Sequence, residues 1–189
     1  VAELNEGSIN GIVNSVGGYF FFYISLIGLL LSVSRAEGLK RFDFWYNSAG
    51  FVYYAIFLYF VKTGGIGSIY TIMAGILLPV AIRMVIAVYH GDSTYDFRLT
   101  LLLSLWVVST IFASIKGIRF TLLLAPAFSV AFGVALGKSY FYSSRFLTKE
   151  LKIHKAVGSS ILIFLFILIF YAGSTRAAIS AAGSDIPIV

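Results

Sequence analysis

Lys116 and Arg119 are the residues whose type and spacing could most directly do chemistry. They lie in the run Ser114-Ile115-Lys116-Gly117-Ile118-Arg119-Phe120-Thr121-Leu122-Leu123-Leu124-Ala125-Pro126, where a short polar break opens a long apolar stretch. An arginine at the end of a membrane span is costly unless it snorkels to the interface or meets an anion. Its planar fork matches phosphate oxygens in pairs. A helix starting beside it would add unpaired N–H groups and the positive end of a dipole. Together these features describe a phosphate-binding site. The same two side chains can also simply mark the membrane interface, and the residues alone leave both readings open.

Other candidates carry less. Arg83 lies inside an apolar run that also holds Pro79. A buried ionisable residue in a membrane segment is suspect by default. It could reach a carbonyl freed by Pro79 or pair with an acid of another span. His90, Asp92 and Asp96 share one loop and resemble a metal trio, but a solvated loop explains them more simply. His154 reads as a solvated histidine in a basic run. The aromatics Tyr19 to Tyr23 read as packing or lipid-facing residues rather than a sugar platform, and Gly17-Gly18 and Gly64-Gly65 as turns or close approaches. The absence of cysteine removes disulfides, thiolate metal sites and a cysteine nucleophile. No nucleotide phosphate loop, nucleophile elbow or zinc helix motif occurs.

The elements that must position these residues follow from composition. The chain has 189 residues, 59% hydrophobic and 12% charged, with mean hydropathy +0.94. Ordinary soluble domains carry roughly a quarter charged residues, so a soluble domain is excluded. So is disorder, with aromatics at 17%. A spanning helix uses about 20 apolar residues, leaving room for roughly six spans. The apolar runs place them at Ile12 to Val33, Trp45 to Val61, Ile66 to Tyr89, Leu99 to Ile115, Ile118 to Leu136 and Ala156 to Tyr171. The expected fold is an all-α polytopic membrane bundle over 12–173. Residues 1–11 are expected as the end of an external loop, and 174–189 as an external lead-in to a further domain.

An even number of spans puts both termini on one side, and charge selects the side. Arg35, Lys40, Arg41, Arg98, Lys138, Arg145, Lys149, Lys152 and Lys155 fall in one set of loops, and Lys62, Lys116, Arg119 and Arg176 in the other. Both ends are therefore expected outside a cell membrane. The Ser139 to Lys155 stretch mixes aromatics with lysines, which suits a segment lying on the inner leaflet. The net charge of +6 then reflects the basic bias of cytoplasmic loops, with membrane lipids and not nucleic acid as the partner. Val1 to Glu6 has no signal-peptide pattern, and both ends read as cuts in something larger.

Lys116-Gly117-Ile118-Arg119-Phe120-Thr121, running into Ala125-Pro126 and Gly133, resembles the late-helix motif of the oligosaccharyltransferase catalytic subunit, the single-subunit archaeal and bacterial enzymes and their eukaryotic relative. Val1-Ala2-Glu3 resembles the last three residues of that family's Ser-Val-Ser-Glu type motif. Ser184-Asp185-Ile186-Pro187-Ile188-Val189 resembles the stretch leading into its soluble domain. The resemblance spans the chain, with one departure: the Trp45 to Tyr89 hairpin looks like an extra helix pair, which preserves the parity of sides. The family's aspartate motifs and its Trp-Trp-Asp motif are absent here, as a truncated chain would have it, and the fragment is expected to be inactive alone.

The resemblance implies transfer of an oligosaccharide from a lipid-linked pyrophosphate donor to asparagine in Asn-X-Ser/Thr sequons of an acceptor polypeptide, on the outward face of the membrane. It implies that Arg119, with Lys116 beside it, contacts the donor pyrophosphate. It implies that Glu3 lies beside the acceptor asparagine and contributes to a divalent cation site, Mn2+ or Mg2+, completed by residues outside this chain. Two rivals predict the same helices. One is a transporter or channel bundle, supported by Arg83 and the proline-broken helices. The other is a different lipid-phosphate-dependent glycosyltransferase, which would keep the arginine and dispense with Glu3. A membrane scaffold subunit without catalysis is a further reading.

Overall fold

The computed structural model describes residues 9–34, 41–66, 68–89, 97–149, 157–160, 162–164, 166–168 and 171, without the side chains of Arg41, Ile118, Arg119, Phe146 and Lys149. Every regular element among them is helical: α1 (Ile9–Ser15), α2 (Tyr19–Ser32), α3 (Arg41–Lys62), α4 (Ile69–Tyr89), α5 (Phe97–Lys116), a 3-10 helix (Ile118–Leu123) and α6 (Leu124–Lys149). Ile69–Tyr89, Phe97–Lys116 and Phe120–Arg145 are each long and apolar enough to cross a membrane, and α1 with α2 makes a fourth if the bent pair counts as one span. The chain is therefore an all-helical protein of membrane-spanning character. The described residues fall into two compact units, up to Lys138 and from Ser139 onward.

The expected first span is broken. α1 and α2 meet at 84°. The break follows from Gly17 and Gly18, whose φ angles of 99° and 92° are open to glycine and strained for other residues. Gly18 N–H donates to Val13 O at 2.9 Å and Gly17 N–H to Asn14 O at 3.1 Å, the paired bonds of a Schellman helix end. The same signature closes α3, with Gly65 N–H on Phe60 O at 2.9 Å and Gly64 N–H on Val61 O at 3.3 Å. Both glycine pairs are thus turns.

Within the first unit α2 runs antiparallel to α3 and to α5, and parallel to α6. On α2 and α3, Tyr23 OH donates to Phe51 O at 3.0 Å, while Asn47 Nδ2 donates to Ser34 Oγ at 3.2 Å nearer the far end. Ser32 Oγ meets Thr100 Oγ1 at 3.0 Å, pairing the end of α2 with the start of α5. Gly28 of α2 comes so close to α6 that an added Cβ would lie 1.8 Å from Ala131 O. Between membrane helices apolar burial against lipid supplies no driving force, so close packing and interhelical hydrogen bonds hold the bundle. Leu26, Leu29 and Leu30 of α2, Tyr54 of α3, Ile76 and Val80 of α4, Leu103 and Ile111 of α5 and Phe128 of α6 are buried in this core.

The fifth expected span also differs. Its α-helix starts only at Leu124 and runs through to Lys149, well past Leu136. The Ser139 to Lys155 stretch, expected to lie along the inner leaflet, instead continues the helix as far as Lys149, and the rest of it lies outside the described residues. No proline interrupts it there, and Lys138 Nζ donates to Ser34 O at 2.9 Å, tying α6 to the end of α2. In the second unit, Tyr140 OH donates to Ser159 Oγ at 2.9 Å.

Candidate functional site

The turn between α5 and α6 carries the cations singled out in the sequence. Thr110 and Ser114 stack on one face of α5, and Ser114 Oγ lies 2.7 Å from Thr110 O and 3.1 Å from Phe120 O. That hydroxyl ties the end of α5 to the turn that follows it. Gly117 N–H still donates to Ala113 O at 3.1 Å, and Phe120 N–H donates back to Gly117 O at 3.0 Å, which closes the first turn of the 3-10 helix. Lys116 is the last residue of α5 and is exposed. Arg119 is the second residue of the 3-10 helix, and its side chain lies outside the described residues. The backbone thus brings both residues into one turn. The expected α-helix start beside Arg119 is instead a 3-10 helix, with the α-helix beginning five residues later.

α1 packs against α5 and against this 3-10 helix. Its Ile12 and Val13 are buried among Phe22, Phe57, Val61, Ile72 and Ile111. Because α1 stands at 84° to α2, it lies across the end of the bundle like a ledge. Tyr19 OH donates to Asn10 Oδ1 at 2.6 Å, bracing the corner, and Lys62 Nζ stands 5.7 Å from the centre of the Tyr19 ring. Lys62, Lys116 and the Arg119 backbone therefore share the α1 end of the bundle. Arg98 and Lys138 belong to the opposite end.

Glu3 lies outside the described residues, as do His90, Asp92, Asp96 and His154. Among the described residues no group of three His, Cys, Asp or Glu could hold a metal ion. Asp43 is the acid there, and it is committed to Arg83. The resemblance assigns Glu3 to the divalent cation, with the other ligands outside this chain, so that site lies outside the described residues.

Arg83 proves to be part of the packing of a helix hairpin. Its guanidinium forms a buried ion pair with Asp43 of α3, with both side chains at most 4% exposed. It also stands 5.4 Å from the centre of the Phe42 ring and 5.5 Å from that of Tyr46. Of the two partners weighed for Arg83, an acid of another span is the one found. Asp43 itself was missed by sequence reasoning. The available signal was an acid inside the first turn of a membrane-length helix, with a lone arginine on the next.

Comparison with protein-family models, with curated proteins and with solved structures gives no match.

Proposed function

We propose that this chain is the later transmembrane part of an oligosaccharyltransferase, which moves an oligosaccharide from a lipid-linked pyrophosphate to asparagine in Asn-X-Ser/Thr. In this reading it has six spans with both termini outside. The α1–α2 pair, α3, α4, α5, the 3-10 helix with α6, and the apolar helix at Val157–Leu168 supply them. The end bearing α1 faces outward, because the opposite loops hold the greater share of lysine and arginine.

One observation carries the reading: the 3-10 helix holding Arg119 is packed against α1, the first described helix after Glu3. Five residues lie between Glu3 and Ile9, a chain length of at most about 22 Å. On this reading a carboxylate and a guanidinium far apart in sequence act together at one end of the bundle. The pairing suits the chemistry. An amide nitrogen is a poor nucleophile because its lone pair is delocalised into the carbonyl. A carboxylate accepting hydrogen bonds from the NH2 group orients it and opposes that delocalisation. The departing pyrophosphate gains negative charge, and a cation already in place stabilises it without reorganisation. Glu3 takes the first role, Arg119 the second, and exposed Lys116 adds a weaker, screened attraction. The transporter reading drew on Arg83 and on the proline-broken helices; Arg83 forms a buried ion pair with Asp43 inside a hairpin.

The test is Arg119→Ala in the full-length protein, assayed in membranes with a lipid-linked oligosaccharide and a labelled Asn-X-Thr peptide. Turnover should fall by about 100-fold or more, the usual cost of removing one positioned donor from a developing anion. Arg119→Lys should recover part of it, keeping the charge and losing the fork. Unchanged turnover in Arg119→Ala would end the proposal.

A further inference from the structure

We infer that α3 crosses the membrane only as one arm of a hairpin with α4, and that the Asp43–Arg83 pair makes its crossing depend on α4. At 22 residues α3 is long enough to span, about 33 Å, yet it is not among the helices apolar enough to do so alone. It carries Asp43, Asn47, Ser48 and four tyrosines. α4 is apolar enough, but it has two liabilities of its own: Arg83, and Pro79, whose missing N–H leaves Gly75 O without its usual helical donor.

The two helices answer each other's needs. Asp43 neutralises Arg83 in a site closed to water. A lone carboxylate or guanidinium at that depth would be costly in hydrocarbon, and the pair removes both charges together. Tyr53 OH donates to Gly75 O at 3.1 Å, supplying the hydrogen bond that Pro79 cannot. Tyr54 OH donates to Ile76 O at 2.8 Å and Tyr46 OH to Pro79 O at 2.5 Å. Tyr46, Tyr53 and Tyr54 fall at helical spacing, so one face of α3 delivers all three hydroxyls to one stretch of α4. Phe57 closes over Gly75, where a Cβ would meet its ring at 2.2 Å. The outward faces are apolar. Val52 and Ile56 of α3 and Leu78, Ile82 and Val85 of α4 are exposed, and aromatics flank them, with Phe44 and Trp45 at one end and Tyr59 and Phe60 at the other. That is the aromatic-belt pattern of a lipid-facing surface.

The chain contains no cysteine, so single reporters read the topology cleanly. Thr63→Cys marks the α3–α4 turn and Tyr89→Cys marks the far end of α4. In sealed vesicles of the full chain, an impermeant maleimide should label the two from opposite faces. Adding Asp43→Lys places like charges together and should lower labelling of Thr63→Cys from its own face at least about tenfold, or remove the chain from the membrane fraction. Two repairs should restore the parent pattern: the swap Asp43→Arg with Arg83→Asp, and the apolar pair Asp43→Leu with Arg83→Leu. Parent-like labelling in the Asp43→Lys chain overturns the inference, because α3 then crosses without the pair. Failure of both repairs overturns it too, because the loss then lies elsewhere than in charge.

Discussion

Replacing Gly28 by alanine tests the packing that holds the Arg119 turn in register with the rest of the bundle. The added methyl would lie 1.8 Å from Ala131 O and 2.7 Å from Ala131 C, both backbone atoms that cannot rotate away. A carbon-to-oxygen contact settles at about 3.3 Å, so α2 and α6 must part by roughly 1.5 Å. One turn away, Ser25 Oγ holds Phe128 O at 3.2 Å. The same parting stretches that contact to about 4.7 Å, beyond hydrogen bonding. Overpacking costs about 1–3 kcal/mol, and the lost interhelical bond adds about 0.6 kcal/mol. Better helix propensity returns about 1 kcal/mol. The net loss of about 0.6–2.6 kcal/mol corresponds to a fall in Tm of roughly 1–10 °C for a chain of this size. The assay is thermal unfolding of the detergent-solubilised chain, followed by size-exclusion fluorescence. The control is Gly133→Ala on α6, where a Cβ meets nothing within 4 Å and only the propensity gain applies. If Gly28→Ala melts at or above Gly133→Ala, the close α2–α6 approach is refuted.

Two further predictions use the same assay. Tyr53→Phe strips the hydroxyl from Gly75 O, which Pro79 leaves without its helical donor, and should cost about 1 kcal/mol; Tyr59→Phe on the exposed face of α3 should stay within about 0.5 kcal/mol of the parent, and equal effects would remove the repair role given to Tyr53. A double-mutant cycle of Ser32→Ala and Thr100→Val should give a coupling of about 0.6 kcal/mol, since the two hydroxyls meet at 3.0 Å inside the bundle; strict additivity would show that the contact does not join α2 to α5.

The amino-acid sequence by itself determined that the described residues form helices long and apolar enough to span a membrane, because a long apolar run satisfies its backbone in lipid as a helix. It also marked the turns at Gly17-Gly18 and Gly64-Gly65, since the positive φ found at Gly17, Gly18 and Gly64 is a local demand that glycine meets at least cost. It put Lys116 and Arg119 close together, because only Gly117 and Ile118 lie between them. Contacts made across the bundle were beyond its reach. Hydropathy averages along the chain cannot show that α1 folds back at 84° to lie against the Arg119 turn, because that depends on where Ile12 and Val13 find a buried seat. Nor can they show that α6 starts late and runs on to Lys149. The fate of Arg83 was decided in the same way. Its cost was legible as a charge in an apolar run, but its partner Asp43 lies 40 residues away, and only antiparallel packing of α3 on α4 brings the two together.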